Sequence, residues 1–383
     1  MKPQIIYDKF LGLFHEAPIL VRSPGRINLI GEHTDYNEGF VLPAAIDKEI
    51  VLGVAPADSD NCKLYAADYE QLLEFKLEEI QKSGKSWHNY FLGVLDELGR
   101  RGIYLQPFNC VFGGDIPIGG GLSSSAALTC GFAYALNELF NLKLSKLEMV
   151  QICHQAENNF VGVHCGIMDQ FANIFSRKDY VLKLDCRSLE YELIPFGFRD
   201  ASLLLLDTQI SHDLASSEYN LRRQQCETGL AEIKKIDNSV RSLRDVSPEL
   251  LQEMKSKLHP VILKRCNYVV REIERVAQAC EALKRNELND FGQLMFETHA
   301  GLRDGFEVSC PELDFLVDTA RSNTEVVGAR LMGGGFGGCT INLVQERSSD
   351  KFISKIQRQY QSKFGKELKI YHVKIESGSS KLL

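Results

Sequence analysis

The sequence predicts an α+β protein of two lobes, 1–200 and 201–383, and three observations carry that expectation. A chain of 383 residues is long for a single hydrophobic core, so two lobes are the natural division. The first half alternates short apolar runs with Gly and Pro punctuation. The second half opens and closes on strand-like runs around a long helical stretch. With 44% hydrophobic and 25% charged residues, the composition is that of a folded globular protein rather than a disordered or fibrous one.

Taken in order, MKPQIIYDKFLGLF carries Lys2, Asp8 and Lys9 among its apolar residues and continues as an amphipathic helix, so no signal peptide is visible. Ala17–Val21, Phe40–Leu42, Ile50–Val54, Phe108–Phe112 and Tyr180–Leu184 have strand length and composition. Asn89–Arg100 and Ala126–Phe140 have helical patterns between them. The second half begins with the strand-like Ser202–Asp207. Val269, Ile273, Val276, Cys280 and Leu283 then recur at intervals of 4, 3, 4 and 3, which places them on one helix face. Cys339–Val344 and Leu368–Ile375 close the half as strands. Between them a helix carries Phe352, Ile356, Tyr360 and Phe364 on one side and stops at Gly365.

Charge and cysteine usage exclude several function classes. A formal net charge of −7 gives no basic stripe with which to displace counterions from a nucleic acid. A small anionic ligand remains compatible, because a few amide groups, one arginine and a metal can hold it locally. The eleven cysteines include no pair at CxxC spacing and read as reduced, mostly buried thiols, which predicts a cytoplasmic location. The longest aliphatic run, Leu203–Leu206, is far too short to span a bilayer.

Three polar or glycine-rich stretches carry candidate chemistry. In GGDIPIGGGLSSSAAL, a strand runs into Gly119, Gly120 and Gly121, then three serines, then a helix. Glycines let backbone approach a ligand, and the helix N-terminus behind them offers free N–H groups, so the segment reads as a phosphate cradle. It is not a Walker A loop, because no Lys-Ser/Thr follows. A flexible loop capped by one serine is the plainer reading, but it leaves the other serines and glycines without a reason. The second run, Gly333-Gly334-Gly335-Phe336-Gly337-Gly338, satisfies GxGxxG but leads into a strand, not the helix that a dinucleotide site needs. It reads as a tight loop bringing backbone close to a ligand or to the other lobe. In PGRINLIGEHTDYNEG, the residues Arg26, Glu32, His33 and Asp35 could gather hydroxyl groups. Equally, Asp35 could form an Asx turn before Gly39 and Arg26 could pair with Glu32 on the surface. Downstream, Glu157 lies on a helix tail among apolar residues and suits Mg²⁺ as a hard oxygen ligand. His154 reads as a packing residue. Asp169 opens another helix, where dipole complementarity alone would also explain it.

Together these stretches resemble, in order, the signature motifs of the GHMP kinases, and the first resembles the galactokinase signature. PGRINLIGEHTDYNEGFVLPAAID, IPIGGGLSSSA and GARLMGGGFGGCTINLV carry the resemblance, with CGIMDQ and SSEYNLRR in support. It implies a mixed N-terminal lobe related to a ribosomal-protein domain, a ferredoxin-like C-terminal lobe, and a site between them. It further implies that Gly119, Gly120, Gly121, Leu122, Ser123, Ser124 and Ser125 wrap the phosphates of ATP. Ser125 and Glu157 would hold Mg²⁺, Asp169 would be the base toward the C1 hydroxyl of galactose, and Arg26 would stabilise the shifting charge. Glu32, His33, Asp35 and Tyr219 would hold the other hydroxyls, with Thr34 and Gly166 beside them. The implied partners are galactose and ATP, with no nucleic acid, no membrane and a monomeric chain. Two alternatives follow from the same resemblance: an N-acetylgalactosamine kinase, a group that tends to carry Ile where this chain has Thr34, and a non-catalytic galactose sensor. The sensor's nucleotide loop is shortened after the serines, whereas Ser123 to Ala127 are all present here. Ile116 and Leu331-Met332 depart from the commoner family residues but lie beside the loops.

Overall fold

Strands Ile19–Asn28 and Pro43–Pro56 form the middle of a six-stranded sheet, and both are buried on both faces. The reason is that helices cover each side. Ile6 and Phe10 of helix Pro3–Phe14 pack on Leu20, Val51, Ala55 and Val111. Alternate residues of the same strands, Val21, Leu52 and Val54, face the core that helix Ser124–Phe140 also enters through Cys130 and Phe132. A sheet covered twice reads as near-continuous apolar sequence, which is why these strands were visible as runs. The computed structural model describes residues 3–84, 86–117, 119–210 and 215–382; Ile118 of the glycine-serine motif lies outside them.

The six-stranded sheet is mixed, in the order Ser380–Lys381, Ile19–Asn28, Pro43–Pro56, Phe108–Gly114, Cys62–Ala66 and Gln71–Phe75, with one parallel pair between Cys62–Ala66 and Phe108–Gly114. Its first strand comes from the far end of the chain: Val21 pairs with Lys381, and Ile46 bridges Ile375. The strand expected at Ala17–Val21 runs on to Asn28. Between Pro24 and Arg26 its register against Pro43–Pro56 shifts. Such a bulge bends a strand and re-aims the side chain that follows, here Arg26.

A second, four-stranded antiparallel sheet has Ala201–Asp207, Val326–Leu331, Cys339–Gln345 and Lys369–Val373 in the spatial order second, third, first, fourth. With helices in the first and last connections, this is the ferredoxin-like order. Leu204, Leu206 and Val344 pack against Phe352, Ile356 and Tyr360 of helix Ser349–Phe364. Leu203, Leu205, Ile341 and Leu343 face the opposite way and join the large core of the first lobe. Gly365 ends helix Ser349–Phe364 in the left-handed conformation, φ 66°, its N–H returning to Gln361 O. A small sheet of Phe40–Val41, Tyr180–Asp185 and Tyr191–Pro195 completes the strands.

Helix Pro260–Lys284 buries all five residues of its predicted face. Val269 and Ile273 lie in one cluster with Phe306, while Val276, Cys280 and Leu283 lie in the main core, so the helix spans the two. All eleven cysteines are free thiols, and all but Cys165, Cys186 and Cys310 are buried. Among the described residues no helix is long and apolar enough to cross a membrane.

Candidate active site

Where the signature turn, the first helix turns and the second glycine run converge, a cavity of about 350 Å³ opens. Arg26, Glu32, His33, Asp35, Ser125, Glu157, Gly166, Asp169 and Tyr219 all line it, although they stand up to 193 positions apart in the chain. Asp169, in the first turn of Met168–Phe175, takes two parallel bonds from Arg26: Nε to Oδ1 at 2.7 Å and Nη2 to Oδ2 at 2.8 Å. The third guanidinium nitrogen donates to Gly121 O, and the Arg26 amide donates to Leu122 O at 3.0 Å. Burial would lower the Arg26 pKa, but Asp169, Glu32 and Asp35 around it outweigh that and raise it. A permanently charged fork thus sits between a carboxylate and the glycine loop.

The surface pair of Arg26 with Glu32 does not form. Glu32 is buried, and its Oε1 accepts from Arg330 Nη2 at 3.0 Å and from the Gly333 amide at 2.7 Å. Nor is the turn before Gly39 an Asx turn on Asp35. Thr34 closes it, its carbonyl accepting from Asn37 N at 3.1 Å and Gly39 N at 2.8 Å. The Asp35 carboxyl is left to the cavity and lies against Gly166, where any Cβ would overlap it. Burial, then the charge of Asp169, pushes its pKa up to about 7. His33 sits at φ 63° with Nδ1 2.8 Å from the Tyr36 hydroxyl and its ring among Tyr219 and Phe306. Burial drops its pKa to about 4, so it is neutral at physiological pH. Thr34 is the one residue of this group that does not reach the cavity: its hydroxyl lies 2.9 Å from Gly31 O and 2.7 Å from Phe40 O, spent on the turn itself.

At the other end, Glu157 lies in a π-helical turn, Ala156–Val161, that continues helix Lys146–Gln155. π-Turns commonly mark functional positions. Its Oε1 accepts from Gln170 Nε2 at 2.8 Å and Thr129 Oγ1 at 3.2 Å. Burial raises its pKa to about 7 against the opposing hydrogen bonds of Gln170 and Ser125. His154 packs as expected, its Nε2 3.1 Å from Cys165 O.

Of the glycine-serine loop only Ser125 reaches the cavity wall. Gly119, Gly121 and Ser123 alternate into positive φ (76°, 74° and 57°), and Ser123 makes no side-chain cap to the helix that begins at Ser124. Its hydroxyl is buried with no hydrogen-bond partner among the described residues. The plain capping role is therefore absent, and the helix N-terminus keeps free donors for an anion. The second glycine run packs against the first. A Cβ on Gly121 would come within 3.1 Å of Met332 O, and one on Gly338 within 3.2 Å of Gly119 O. Gly333 and Gly334 of that run also line the cavity, so the run meets the expected approach to the other lobe and stands beside the space where a ligand was expected.

Three supporting residues escaped the sequence reading. Arg330 holds Glu32, and Gln170 and Thr129 hold Glu157. Each carried a faint signal, a polar residue among apolar neighbours of a strand or helix, which does not say where that polarity is used.

Family models match three stretches: the galactokinase galactose-binding signature at residues 8–56, the GHMP kinases N terminal domain at 89–177, and the GHMP kinases C terminal model at 279–362. A galactokinase of Thermosipho africanus is 42% identical over 362 residues, covering 94% of this chain and 99% of that one. The chain belongs to the galactokinase family. A galactokinase of Clostridium beijerinckii is 40% identical across 99% of this chain and 98% of its own. The crystal structure of Lactococcus lactis galactokinase complexed with galactose superposes with a TM-score of 0.96 at 35% identity, over 99% of each chain. The more distant Methanococcus jannaschii mevalonate kinase, 21% identical with a TM-score of 0.68, shares the fold. In this family member the signature stretch supplies Arg26, Glu32, His33 and Asp35, and the N-terminal GHMP stretch supplies the glycine loop, Glu157 and Asp169.

Proposed function

We propose that the protein transfers the γ-phosphoryl group of ATP to the C1 hydroxyl of galactose, releasing galactose 1-phosphate and ADP. The observation that carries this reading is the bidentate Arg26–Asp169 pair, which places an oriented carboxylate and a fixed cation together on the wall of a cavity lined by polar groups. Asp169 takes the C1 hydroxyl proton as the sugar oxygen bonds to phosphorus and the bond from phosphorus to the leaving ADP oxygen breaks. The transition state of phosphoryl transfer is loose, so the proton is needed late, and a carboxylate oriented by Arg26 suffices. Arg26 neutralises charge building between nucleophile and phosphoryl group; positioning and electrostatics supply most of the rate.

The cradle fits ATP: the uncapped helix start, the left-handed glycines and the Ser123 hydroxyl, which has no partner among the described residues, offer donors to phosphates. Ser125 and Glu157 would hold Mg²⁺. A pair of protein oxygens suits a cation that completes its shell from phosphates and water, and the ion would supply neutralisation of phosphate charge. Glu32, His33, Asp35 and Tyr219 hold the sugar hydroxyls, Asp35 and Tyr219 at C3 and C4, Glu32 and His33 at C6. Thr34 shapes the turn that presents them. The eleven free thiols support a cytoplasmic location.

The test is kcat/KM for galactose, glucose and N-acetylgalactosamine on one preparation. Glucose leaves the C4 hydroxyl's buried partners unmatched and should fall by about 10⁴-fold. Comparable values for glucose and galactose would refute the assigned hydroxyl readout. A preference for N-acetylgalactosamine would reassign the substrate, and binding without turnover would make the protein a sensor.

A further inference from the structure

We infer that Arg330 is a positioning residue for sugar binding, acting through Glu32; the inference rests on the reading of Glu32 as a sugar ligand. Arg330 ends a strand of the second lobe, and its side chain is wholly buried. It reaches into the first lobe: Nε donates to Leu29 O at 2.7 Å, Nη2 donates to Asn28 O and to Glu32 Oε1 at 3.0 Å, and Nη1 returns to Leu331 O at 2.6 Å. Glu32 is its one carboxylate partner among the described residues.

The geometry at Glu32 is specific. Oε1 is fully engaged by Arg330 and by the Gly333 amide at 2.7 Å, and no hydrogen bond among the described residues engages Oε2. One oxygen therefore anchors the carboxylate and the other is left for a ligand. The Glu32 backbone is held as well, its carbonyl accepting from Tyr268 Oη at 3.0 Å. On the far side, the Leu331 amide donates to His299 Nδ1 at 3.2 Å, which fixes the strand end that carries Arg330. A buried charge pair contributes little net stability compared with apolar packing, so a guanidinium here is better explained by the orientation it imposes on Glu32. Because Arg330 and Gly333 stand three residues apart on either side of the strand's end, docking of the second lobe and orientation of the sugar carboxylate become one event.

The experiment is a double-mutant cycle on Arg330→Met and Glu32→Gln, reading galactose Kd by calorimetry, KM for ATP, kcat and melting temperature. Arg330→Met should weaken galactose by at least about tenfold, as a misplaced positioning group does. KM for ATP should stay within about twofold, and kcat should fall less than galactose affinity. The double variant should bind galactose within about twofold of Glu32→Gln alone, since the two residues act as one unit. Multiplying effects would overturn the inference, as would losses spread equally over galactose, ATP and kcat. Should Glu32→Gln weaken galactose and Arg330→Met leave it unchanged, the inference fails while the sugar reading stands. Should Glu32→Gln leave galactose binding unchanged, the sugar reading itself fails and takes the inference with it. Arg330→Lys, which keeps the charge but not the fork, should restore folding without restoring the full affinity. If neither Arg330 variant folds, Arg330 is a folding staple between lobes and the inference is wrong.

Discussion

Gly166→Ala isolates the role of Asp35 without touching it. Gly166 has no positive φ, so alanine suits the backbone there. The added methyl would, however, fall inside the Asp35 carboxylate, overlapping Oδ2 and Cγ, and would lie 2.9 Å from Asp35 Cβ. One side must give. The loop carrying Gly166 is tethered, with Cys165 O accepting from His154 at 3.1 Å and Asn158 at 3.4 Å. The turn carrying Asp35 is closed by Thr34 at 2.8 and 3.1 Å. The carboxylate is therefore the part that swings away. A hydrogen bond to a charged group contributes about 1.5–3 kcal/mol, so its loss weakens galactose by about ten- to 150-fold. Calorimetry on galactose and steady-state KM for ATP check this, with ATP unchanged. In an Asp35→Ala background the overlaps with Oδ2 and Cγ are gone and only the 2.9 Å approach to Cβ still forces a shift, so Gly166→Ala should then weaken galactose by less than it does in the wild type. A Gly166→Ala variant with wild-type galactose affinity would refute the reasoning, because Asp35 would then be free to move without cost to the sugar.

Three further outcomes follow from the same geometry. Asp169→Asn keeps the shape, loses the proton acceptor and faces an amide toward the Arg26 fork; kcat should fall by about 10²–10⁴ with galactose Kd within a few fold, and turnover near wild type would remove Asp169 from the role of base. Ser125→Ala and Glu157→Gln should each raise the Mg²⁺ concentration giving half-maximal rate, and an unchanged dependence in both would place the metal elsewhere. Asp35, facing Asp169, Glu32, Arg26, Cys165 and Tyr219, has its folded-state pKa raised by burial to about 7. Between about pH 4 and 7 the folded protein keeps a proton that the unfolded chain releases, so stability falls as pH rises through that window. Asp35→Asn should therefore raise the melting temperature of the sugar-free protein more at pH 8 than at pH 5, and an equal shift at both would mean the group ionises normally.

Local pattern was enough for every element whose job is local. The glycines and serines before helix Ser124–Phe140, the face of Pro260–Lys284 and the Gly365 stop were all visible, because period and backbone freedom are written in neighbouring residues. Strands Cys62–Ala66 and Gln71–Phe75 were missed: Cys62–Ala66 is only five residues long with Lys63 and Tyr65 interrupting its apolar positions, and the edge strand Gln71–Phe75 buries none of its residues fully. Pairing was the harder part. Arg26 had Glu32 within reach in sequence, yet folding gives it Asp169, 143 positions away, and gives Glu32 to Arg330, 298 positions away. A motif names the charges that meet at a site but not which cation each carboxylate receives, and in the proposed roles that choice separates a base from a sugar ligand. The glycine runs make the same point in backbone. Each, read alone, has a vacant side where a Cβ should be; placed together, Gly121 lies against Met332 and Gly333, and Gly338 against Gly119 and Gly120. Either loop with side chains would push the other away, and with it the Gly333 amide that holds Glu32, so the glycines of the second run fix the Glu32 carboxylate as well as the first glycine loop.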